Sequence, residues 1–144
     1  TNGGADFNTR IKVLCEEATK AGSVQSGKEG VRFLLDSARV FEDLEYALSS
    51  ADEFKVHLVA RAWDPRVRPE TEFRGVCWNG TLTCLAQYFH PLYFSSIVNE
   101  KQEIQDDIVL CVKETCIQRA IAKVGGCCVI DFARVSPGEV KIVE

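Results

Sequence analysis

Hydrophobic residues recur every three to four positions in the first part of the chain, which is the period of an amphipathic helix. The first such run predicts a helix over residues 9–21. The polar stretch that follows, residues 22–30 (GSVQSGKEG), predicts a mobile loop. The apolar run over residues 31–35 predicts a short buried strand. Ser37 is then the predicted N-cap of a second helix, which ends near Ser50.

The hydrophobic period changes to two after this helix, and alternation of that kind is typical of a half-buried strand. It predicts one strand over residues 55–63 and a second strand over residues 70–78. Asn79-Gly80 comes next, and this pair is the strongest short signal for a β-hairpin because both central residues of a type I′ turn need positive φ. The predicted return strand covers residues 81–88.

The last third of the chain predicts one long helix followed by a hairpin. The helix covers residues 99–123 and ends at Gly125-Gly126. Strands over residues 127–135 and 139–144 then pair across a Ser-Pro-Gly turn. The order of elements predicts an α+β fold, with an antiparallel sheet and helices packed on one sheet face. We expect residues 1–144 to form a single domain.

Composition and charge narrow the class of protein. With 46% hydrophobic and 26% charged residues, the 144-residue chain has the composition of a globular protein and not of a disordered one. The net charge of −4 and the pI near 5.3 argue against a direct nucleic-acid partner, because such proteins normally carry a basic face. No segment has eighteen uninterrupted apolar residues, and the first ten residues lack a hydrophobic signal core. We therefore expect a cytoplasmic protein without a membrane partner.

The seven cysteines do not form a recognisable metal-binding pattern. None of them belongs to a C-x-x-C pair, so a zinc ribbon is not expected. Cys127 and Cys128 are adjacent and would point to opposite faces of a strand, which suits small core residues better than two ligands of one metal. We expect reduced, structural thiols. The seven positions are Cys15, Cys77, Cys84, Cys111, Cys116, Cys127 and Cys128.

Charged residues interrupt the predicted strands in two places. In the strand over residues 70–78, Glu70, Glu72 and Arg74 share one face, which is either a solvated surface or a binding surface. In the last two strands, Asp131 and Glu144 each place one acid in an apolar run. Carboxylate oxygens are ligands that Mg²⁺ prefers, usually one or two of them together with phosphate oxygens and water. Alternatively, Asp131 is a strand-end acid and Glu144 a terminal residue.

Four segments carry a resemblance to a known family. The chain is similar, over residues 37–144, to the C-terminal part of the cell division cycle protein 123 family, which has a divergent ATP-grasp fold. Its most specific elements are the Arg-x-Trp strand, the Glu-Phe-Arg strand and the paired terminal acids. The matching segments are LVARAW (58–63), PETEFRGVCWNG (69–80), CLAQYFHPLYF (84–94) and CVIDFARVSPGEVKIVE (128–144).

The resemblance implies an ATP and Mg²⁺ site. By resemblance, the Arg-x-Trp segment lies at the adenine-binding hinge and offers backbone groups to adenine. Arg74 would hold a phosphate oxygen, for which a guanidinium group is well suited. Asp131 and Glu144 would coordinate Mg²⁺ that bridges the phosphates. The residues assigned to adenine are Arg61, Ala62 and Trp63.

Two departures from the family pattern affect this interpretation. ATP-grasp proteins usually follow the last acid with x-Asn, a further metal ligand, whereas the sequence ends at Glu144. We therefore expect the chain to be a fragment of a longer ATP-grasp-like protein. Such proteins also supply a nucleotide-binding lysine from an earlier strand and loop. Lys28 is the candidate for this lysine, although its position does not align with the family.

Three functions remain open from the sequence. The first is Mg-ATP binding by a protein that resembles the assembly chaperone of translation initiation factor 2, with a subunit of that factor as the expected partner. The second is an ATP-dependent carboxylate-amine ligase, the activity of most ATP-grasp proteins. The third is a non-catalytic interaction domain that has lost ATP binding. Whether the chain is an enzyme is left open by all three.

Overall fold

The computed structural model of the chain describes residues 6–49 and 57–144. The chain divides into two compact units, the sheet unit (Thr1–Thr19 with Asp64–Glu144) and the helical unit (Lys20–Trp63). Each unit is compact by itself, and the single domain expected over residues 1–144 stays a prediction. The helices are α1 (Phe7–Ala21), α2 (Gly27–Leu35), α3 (Ala38–Ser49), α4 (Ser95–Asn99), α5 (Lys101–Val112) and α6 (Thr115–Lys123), and the strands are β1 (Glu72–Trp78), β2 (Thr81–Gln87), β3 (Cys128–Ser136) and β4 (Glu139–Ile142).

Two hairpins, both predicted from turn residues, form the sheet. Asn79 and Gly80 have φ values of 49° and 77°, as a type I′ turn requires, and they join β1 to β2. Gly138, at φ 74°, lies in the turn between β3 and β4. Because β1 also pairs with β3, the four strands make one antiparallel sheet in the order β2-β1-β3-β4. The predicted α+β class and antiparallel sheet are confirmed.

One face of this sheet is covered by α5 and α6, and the hydrophobic core lies between them. Ile108 and Phe132 are fully buried at its centre. The alternation of strand side chains places Phe73, Gly75 and Cys77 on this core face, whereas Arg74 and Val76 point to the opposite, open face. Helices on one face of the sheet were predicted, and the sheet unit confirms this. The core residues are Phe73, Cys77, Ile104, Ile108, Val112, Ile121, Ile130 and Phe132.

The long helix predicted over residues 99–123 is instead two helices, α5 and α6, and Asn99 ends the short helix α4, which the sequence analysis did not predict. Glu114 has extended backbone dihedrals (φ −60°, ψ 139°), so the chain leaves the helical path between α5 and α6. The side chain of Gln118 donates to the carbonyl oxygen of Val112 at 2.8 Å and to that of Gly80 at 3.2 Å. The break after α5 would leave the carbonyl oxygen of Val112 without a helical partner, and the Gln118 side chain supplies a donor for it. Both α5 and α6 can then follow the twisted sheet surface.

The strand predicted over residues 31–35 is wrong, and so is the last part of the loop predicted over residues 22–30. Both belong to α2, which begins within the predicted loop at Gly27. Ser26 caps this helix by accepting a hydrogen bond from the backbone N–H of Glu29 at 3.2 Å. A short apolar run is compatible with either a strand or a helix, and here the cap at Ser26 favours the helix. The second predicted helix is confirmed as α3, and Ser50 lies outside the described residues.

The strand predicted over residues 55–63 is wrong over residues 57–63. These residues belong to neither helix nor strand and all are exposed, while residues 55 and 56 lie outside the described ranges. A strand forms only where its backbone groups pair with a neighbouring strand, and the next strand in the chain is β1. β1 already pairs with β2 on one side and with β3 on the other.

Among the described residues, no helix is both long and apolar enough to cross a membrane.

Gly75 is expected to be intolerant of a side chain, because the core approaches it closely. A Cβ atom at Gly75 would lie 2.7 Å from Leu82 Cδ1 and 2.7 Å from Phe132 Cε2. We expect Gly75→Ala to lower the free energy of unfolding by about 1–3 kcal/mol, as overpacking of a filled core does. Urea-induced unfolding followed by circular dichroism measures this change. The control is Val76→Thr on the open face, expected within about 0.5 kcal/mol; equal losses for the two variants would contradict the prediction.

Candidate functional site

An arginine and an aspartate face each other on the open side of the sheet. Arg74 in β1 and Asp131 in β3 are directly opposite in the strand register. The guanidinium donates twice to the carboxylate, from Nε to Oδ1 at 2.8 Å and from Nη2 to Oδ2 at 2.7 Å. The Asp131 side chain is 5% exposed and that of Arg74 is 49% exposed. The pair therefore has a buried anion and a cation that still faces solvent.

Tyr88 supports the guanidinium group from a third position. The carbon at the centre of the Arg74 guanidinium lies 4.7 Å from the centre of the Tyr88 ring, within the range of a cation–π contact. The backbone N–H of Tyr88 donates to the carbonyl oxygen of Glu72 at 2.9 Å, which holds the residue beside β1. The hydrogen bonds to Asp131 raise the pKa of Arg74 above its ordinary value. Arg74 is thus a fixed, permanently charged group.

A β-bulge at the end of the last strand brings Glu144 to the same face. The carbonyl oxygen of Asp131 accepts from the N–H of Val143 at 2.7 Å and from that of Glu144 at 3.4 Å, while the N–H of Asp131 donates to the Glu144 carbonyl at 2.8 Å. Two residues of one strand thus face a single residue of its neighbour, the arrangement that defines a bulge. Without this bulge, strand alternation from the Phe132–Ile142 pair would place the Glu144 side chain on the core face.

Together these residues line a depression on the open face. Its volume is about 260 Å³, and its walls are Arg74, Val129, Asp131 and Glu144. Small-molecule pockets usually measure about 300–1,000 Å³, so the depression has room for a phosphate group and a metal ion but not for a whole nucleotide. Its polar groups are one guanidinium and two carboxylates. They suit an anion that arrives together with a divalent cation.

Metal binding at this depression would require ligands from outside the protein. Within residues 6–49 and 57–144, no group of three or more His, Cys, Asp or Glu side chains is arranged to hold a metal ion. Asp131 and Glu144 offer two carboxylates, which is the usual protein share for Mg²⁺ when phosphate oxygens and water complete its shell. The donor set therefore fits a Mg²⁺-phosphate complex better than a free metal ion.

A second charged cluster lies at the β4 edge of the sheet unit. Arg66 donates to Asp64 at 2.9 Å and 3.1 Å and to Glu139 at 2.9 Å and 3.0 Å. Lys141 also donates to Asp64. The hydrogen bonds from Arg66, and then from Lys141, hold the pKa of Asp64 well below its ordinary value. Each charge in this cluster has an opposite partner, so we assign it a structural role.

The structure brings together three of the six predicted site residues. Arg74, Asp131 and Glu144 line the depression. The other three predicted site residues belong to the helical unit, outside helices and strands, and their side chains are exposed. Their proposed role at adenine stays a prediction. These three are Arg61, Ala62 and Trp63. Lys28, the candidate lysine, lies in the first turn of α2.

Sequence reasoning missed Val129, which lines the depression, and Tyr88, which contacts the Arg74 guanidinium from beside it. Tyr88 is the last residue of the strand predicted over residues 81–88, and nothing in its spacing indicated a contact with Arg74. Val129 lies two positions before Asp131, so strand alternation could have placed it on the same face as that acid. Of the three charged residues predicted to share one strand face, Glu72 and Arg74 belong to β1, whereas Glu70 lies in the turn before it and pairs with Arg68.

Comparisons with known proteins provide no second source for these assignments. No family model matches the chain, and no curated protein matches it significantly. The resemblance to the cell division cycle protein 123 family stays an inference from the motifs quoted above. The expected roles of Arg74, Asp131 and Glu144 also stay predictions, and the structure shows that these three side chains line one depression.

Proposed function

We propose that the chain binds Mg-ATP through an ATP-grasp-like site, with the phosphates held at the depression beside Arg74. The observation that carries the proposal is a half-exposed guanidinium next to two carboxylates on an open sheet face. A guanidinium group binds phosphate oxygens through charge-assisted hydrogen bonds, and carboxylates bind Mg²⁺. Both halves of a Mg²⁺-phosphate complex therefore find a matching group within one depression.

The ion pair between Arg74 and Asp131 leaves capacity for this ligand. Arg74 uses Nε and Nη2 to bind Asp131, whereas a guanidinium has five N–H donors. Its exposed side can therefore donate to a phosphate oxygen while the pair stays intact. An ionised carboxylate has about four lone-pair sites, so Asp131 can accept from Arg74 and also coordinate a cation. Mg²⁺ bound there would neutralise phosphate charge and polarise the phosphoryl oxygens.

The size of the depression limits its role to the phosphate end of the nucleotide. The proposal assigns the adenine to Arg61, Ala62 and Trp63, as the family resemblance implies. It further assigns the protein to the relatives of the assembly chaperone of translation initiation factor 2, with a subunit of that factor as partner. Nucleotide binding would then shape a protein-binding surface, and no acid or amine substrate would be required.

A non-catalytic interaction domain is the second candidate, and one observation favours it. Three apolar side chains on the open face are exposed, with Val76 at 39%, Trp78 at 62% and Val129 at 55%. Exposed apolar side chains that lie next to each other are typical of a surface that binds another protein. In this alternative, the Arg74 and Asp131 pair would be structural and would bind no nucleotide.

Nucleotide binding by the 144-residue chain is the direct test. We expect Mg-ATP to bind and to raise the melting temperature by at least about 2–4 °C at 100 times its dissociation constant. Arg74→Lys and Glu144→Gln should each weaken binding about 10-fold or more, because a charge-assisted contact is worth about 1.5–3 kcal/mol. Titration calorimetry with Mg-ATP, repeated with excess chelator, gives these affinities.

Arg66→Lys is the matched control for Arg74→Lys. The two arginines have nearly equal side-chain exposure, 47% and 49%, and each binds an aspartate through two hydrogen bonds. Only Arg74 lines the depression, so Arg66→Lys should leave the affinity for Mg-ATP unchanged. Equal effects of the two substitutions would contradict the site. An absence of Mg-ATP binding by the folded parent protein would favour the interaction domain.

A further inference from the structure

Two cysteines face each other at one end of the central strand pair. Cys77 in β1 and Cys128 in β3 are directly opposite in the register and form the last pair of that ladder. Both belong to the core face of the sheet. Cys77 is 1% exposed, and Cys128 is half-buried and packs against the core cluster. Both are free thiols.

The typical Cα separation of such a strand pair lies in the range that a disulfide requires. The N–H of Arg134 donates to the carbonyl of Thr71, and bonds in an antiparallel ladder fall on every second pair, so the pair of Cys77 and Cys128 is of the hydrogen-bonded kind. Such pairs have Cα atoms about 5.5 Å apart, and disulfides span about 4.4–6.8 Å. Burial, and then the Cys128 thiol, which hydrogen-bonds to it, raise the pKa of Cys77.

The end of the ladder can also adjust. The register between β1 and β2 shifts between Val76 and Cys77, so the last residues of β1 are held less regularly than its centre. Cβ atoms of a directly opposed pair are about 4.5–5.5 Å apart, somewhat more than the usual 3.5–4.5 Å of a disulfide. A bond formed here would be strained, and strained disulfides are the readily reduced ones.

We propose that Cys77 and Cys128 form an oxidative modification site, in which a peroxide converts the two thiols into a reversible cross-strand disulfide. The half-buried Cys128 reacts first: its thiolate attacks one peroxide oxygen, giving a sulfenic acid and releasing hydroxide. The sulfur of Cys77 then displaces the sulfenic hydroxyl, which takes the proton of the Cys77 thiol and leaves as water, while the proton that Cys128 gave up on ionising neutralises the hydroxide. Two thiols and one hydrogen peroxide thus yield one disulfide and two waters.

Of the other five cysteines, Cys15 belongs to α1 and Cys111 to α5, so neither has a register partner in the sheet, and the other three are exposed. Cys84 is exposed and lies opposite Val76 on the open face. Cys116 is exposed beside the carboxylate of Glu114, at 3.7 Å. Cys127 is exposed and precedes β3. The structure therefore predicts a single specific pairing rather than random crosslinking of seven thiols.

Peptide mapping after mild oxidation tests the site. The folded protein is treated with hydrogen peroxide, its remaining thiols are alkylated, and the digest is analysed by mass spectrometry. We expect a mass loss of about 2 Da, one linked peptide that contains Cys77 and Cys128, and full reversal by dithiothreitol. Oxidation of Cys128 to sulfinic acid with Cys77 still available for alkylation would overturn the proposal.

Three variants separate this pairing from its neighbours. Cys127→Ser should keep the linked peptide, and Cys84→Ser should also keep it, because neither side chain belongs to the pair. Cys128→Ala should abolish it and leave Cys77 reduced. Linkage that survives in Cys128→Ala, or that is lost in Cys127→Ser, would assign the disulfide to Cys127 and overturn the proposal. The parent map alone decides the matter if a variant does not fold.

Discussion

Replacing Phe132 with alanine is expected to lower the free energy of unfolding by about 3–5 kcal/mol. Phe132 is fully buried in β3, the strand that lies between β1 and β4. Together with Leu82, its ring fills the space above Gly75. Alanine would remove the ring and leave a cavity that the surrounding strands can only partly close. Urea-induced unfolding followed by circular dichroism measures the loss.

Phe7→Ala is the matched control for this variant. It removes the same atoms from the same unit, but the side chain of Phe7 is 76% exposed in α1. We expect a change within about 0.5 kcal/mol. A loss for Phe132→Ala of the same size as that for Phe7→Ala would mean that the core does not lie between the sheet and α5.

Replacing Arg134 with methionine should be the second most damaging change. The Arg134 side chain is 7% exposed on the core face of the sheet. It donates to Asp107 at 2.6 Å and to Glu100 at 2.7 Å, and Glu103 lies 3.7 Å away. Methionine preserves the length of the side chain but leaves three neighbouring carboxylates without their cation. We expect a loss of about 3 kcal/mol, in the lower range for a broken buried pair, because Glu103 and Glu100 keep contact with water.

The control for Arg134→Met is Arg66→Met. Arg66 also contacts two acids, Asp64 and Glu139, but its side chain is 47% exposed. Exposed ion pairs are worth less than about 1 kcal/mol, so the control should be nearly neutral. Similar losses for the two arginines would show that the burial of Arg134 does not matter for stability.

Acid pH provides a further measurement on the Arg134 cluster. The hydrogen bond from the N–H of Gly138, and then the one from Arg134, hold the pKa of Asp107 below its ordinary value of 3.8. A carboxyl group whose pKa is lowered on folding contributes its full stability above the unfolded value, and loses it as the pH falls below that value. We therefore expect the stability difference between parent and Arg134→Met to shrink below about pH 3.8. A difference that is constant at every acid pH would contradict this.

Local signals in the sequence predicted both hairpin turns but not the start of α2. Asn79-Gly80 predicted its hairpin correctly, because Asn and Gly are among the few residues that adopt positive φ values readily. The start of α2 was missed, although Ser26 and Glu29 stand at the spacing of a capping box. The glycine and serine content of that stretch masked the cap. The side chain of Glu29 also accepts from the N–H of Gln25 at 2.7 Å.

Contacts between distant residues decided the rest of the candidate site. Strand alternation could group Arg74 with Glu72 on one face, but it could not show that Arg74 lies opposite Asp131, because these residues are 57 positions apart. Strand alternation also could not predict the sheet face on which Glu144 lies. Counting by two from Ile142 places Glu144 on the core face, and only the bulge opposite Asp131 reverses this.

The position of β2 at one end of the sheet has a consequence for the protein in concentrated solution. Within the described residues, its outer backbone groups pair with no other strand of the sheet, and its sequence TLTCLAQ has neither charge nor proline. Uncharged edge strands of this kind are templates for pairing between molecules. The opposite edge, β4, carries Glu139 and Lys141 and is better protected. Heating should therefore lead to precipitation through β2, and recovery on cooling should fall as the protein concentration rises.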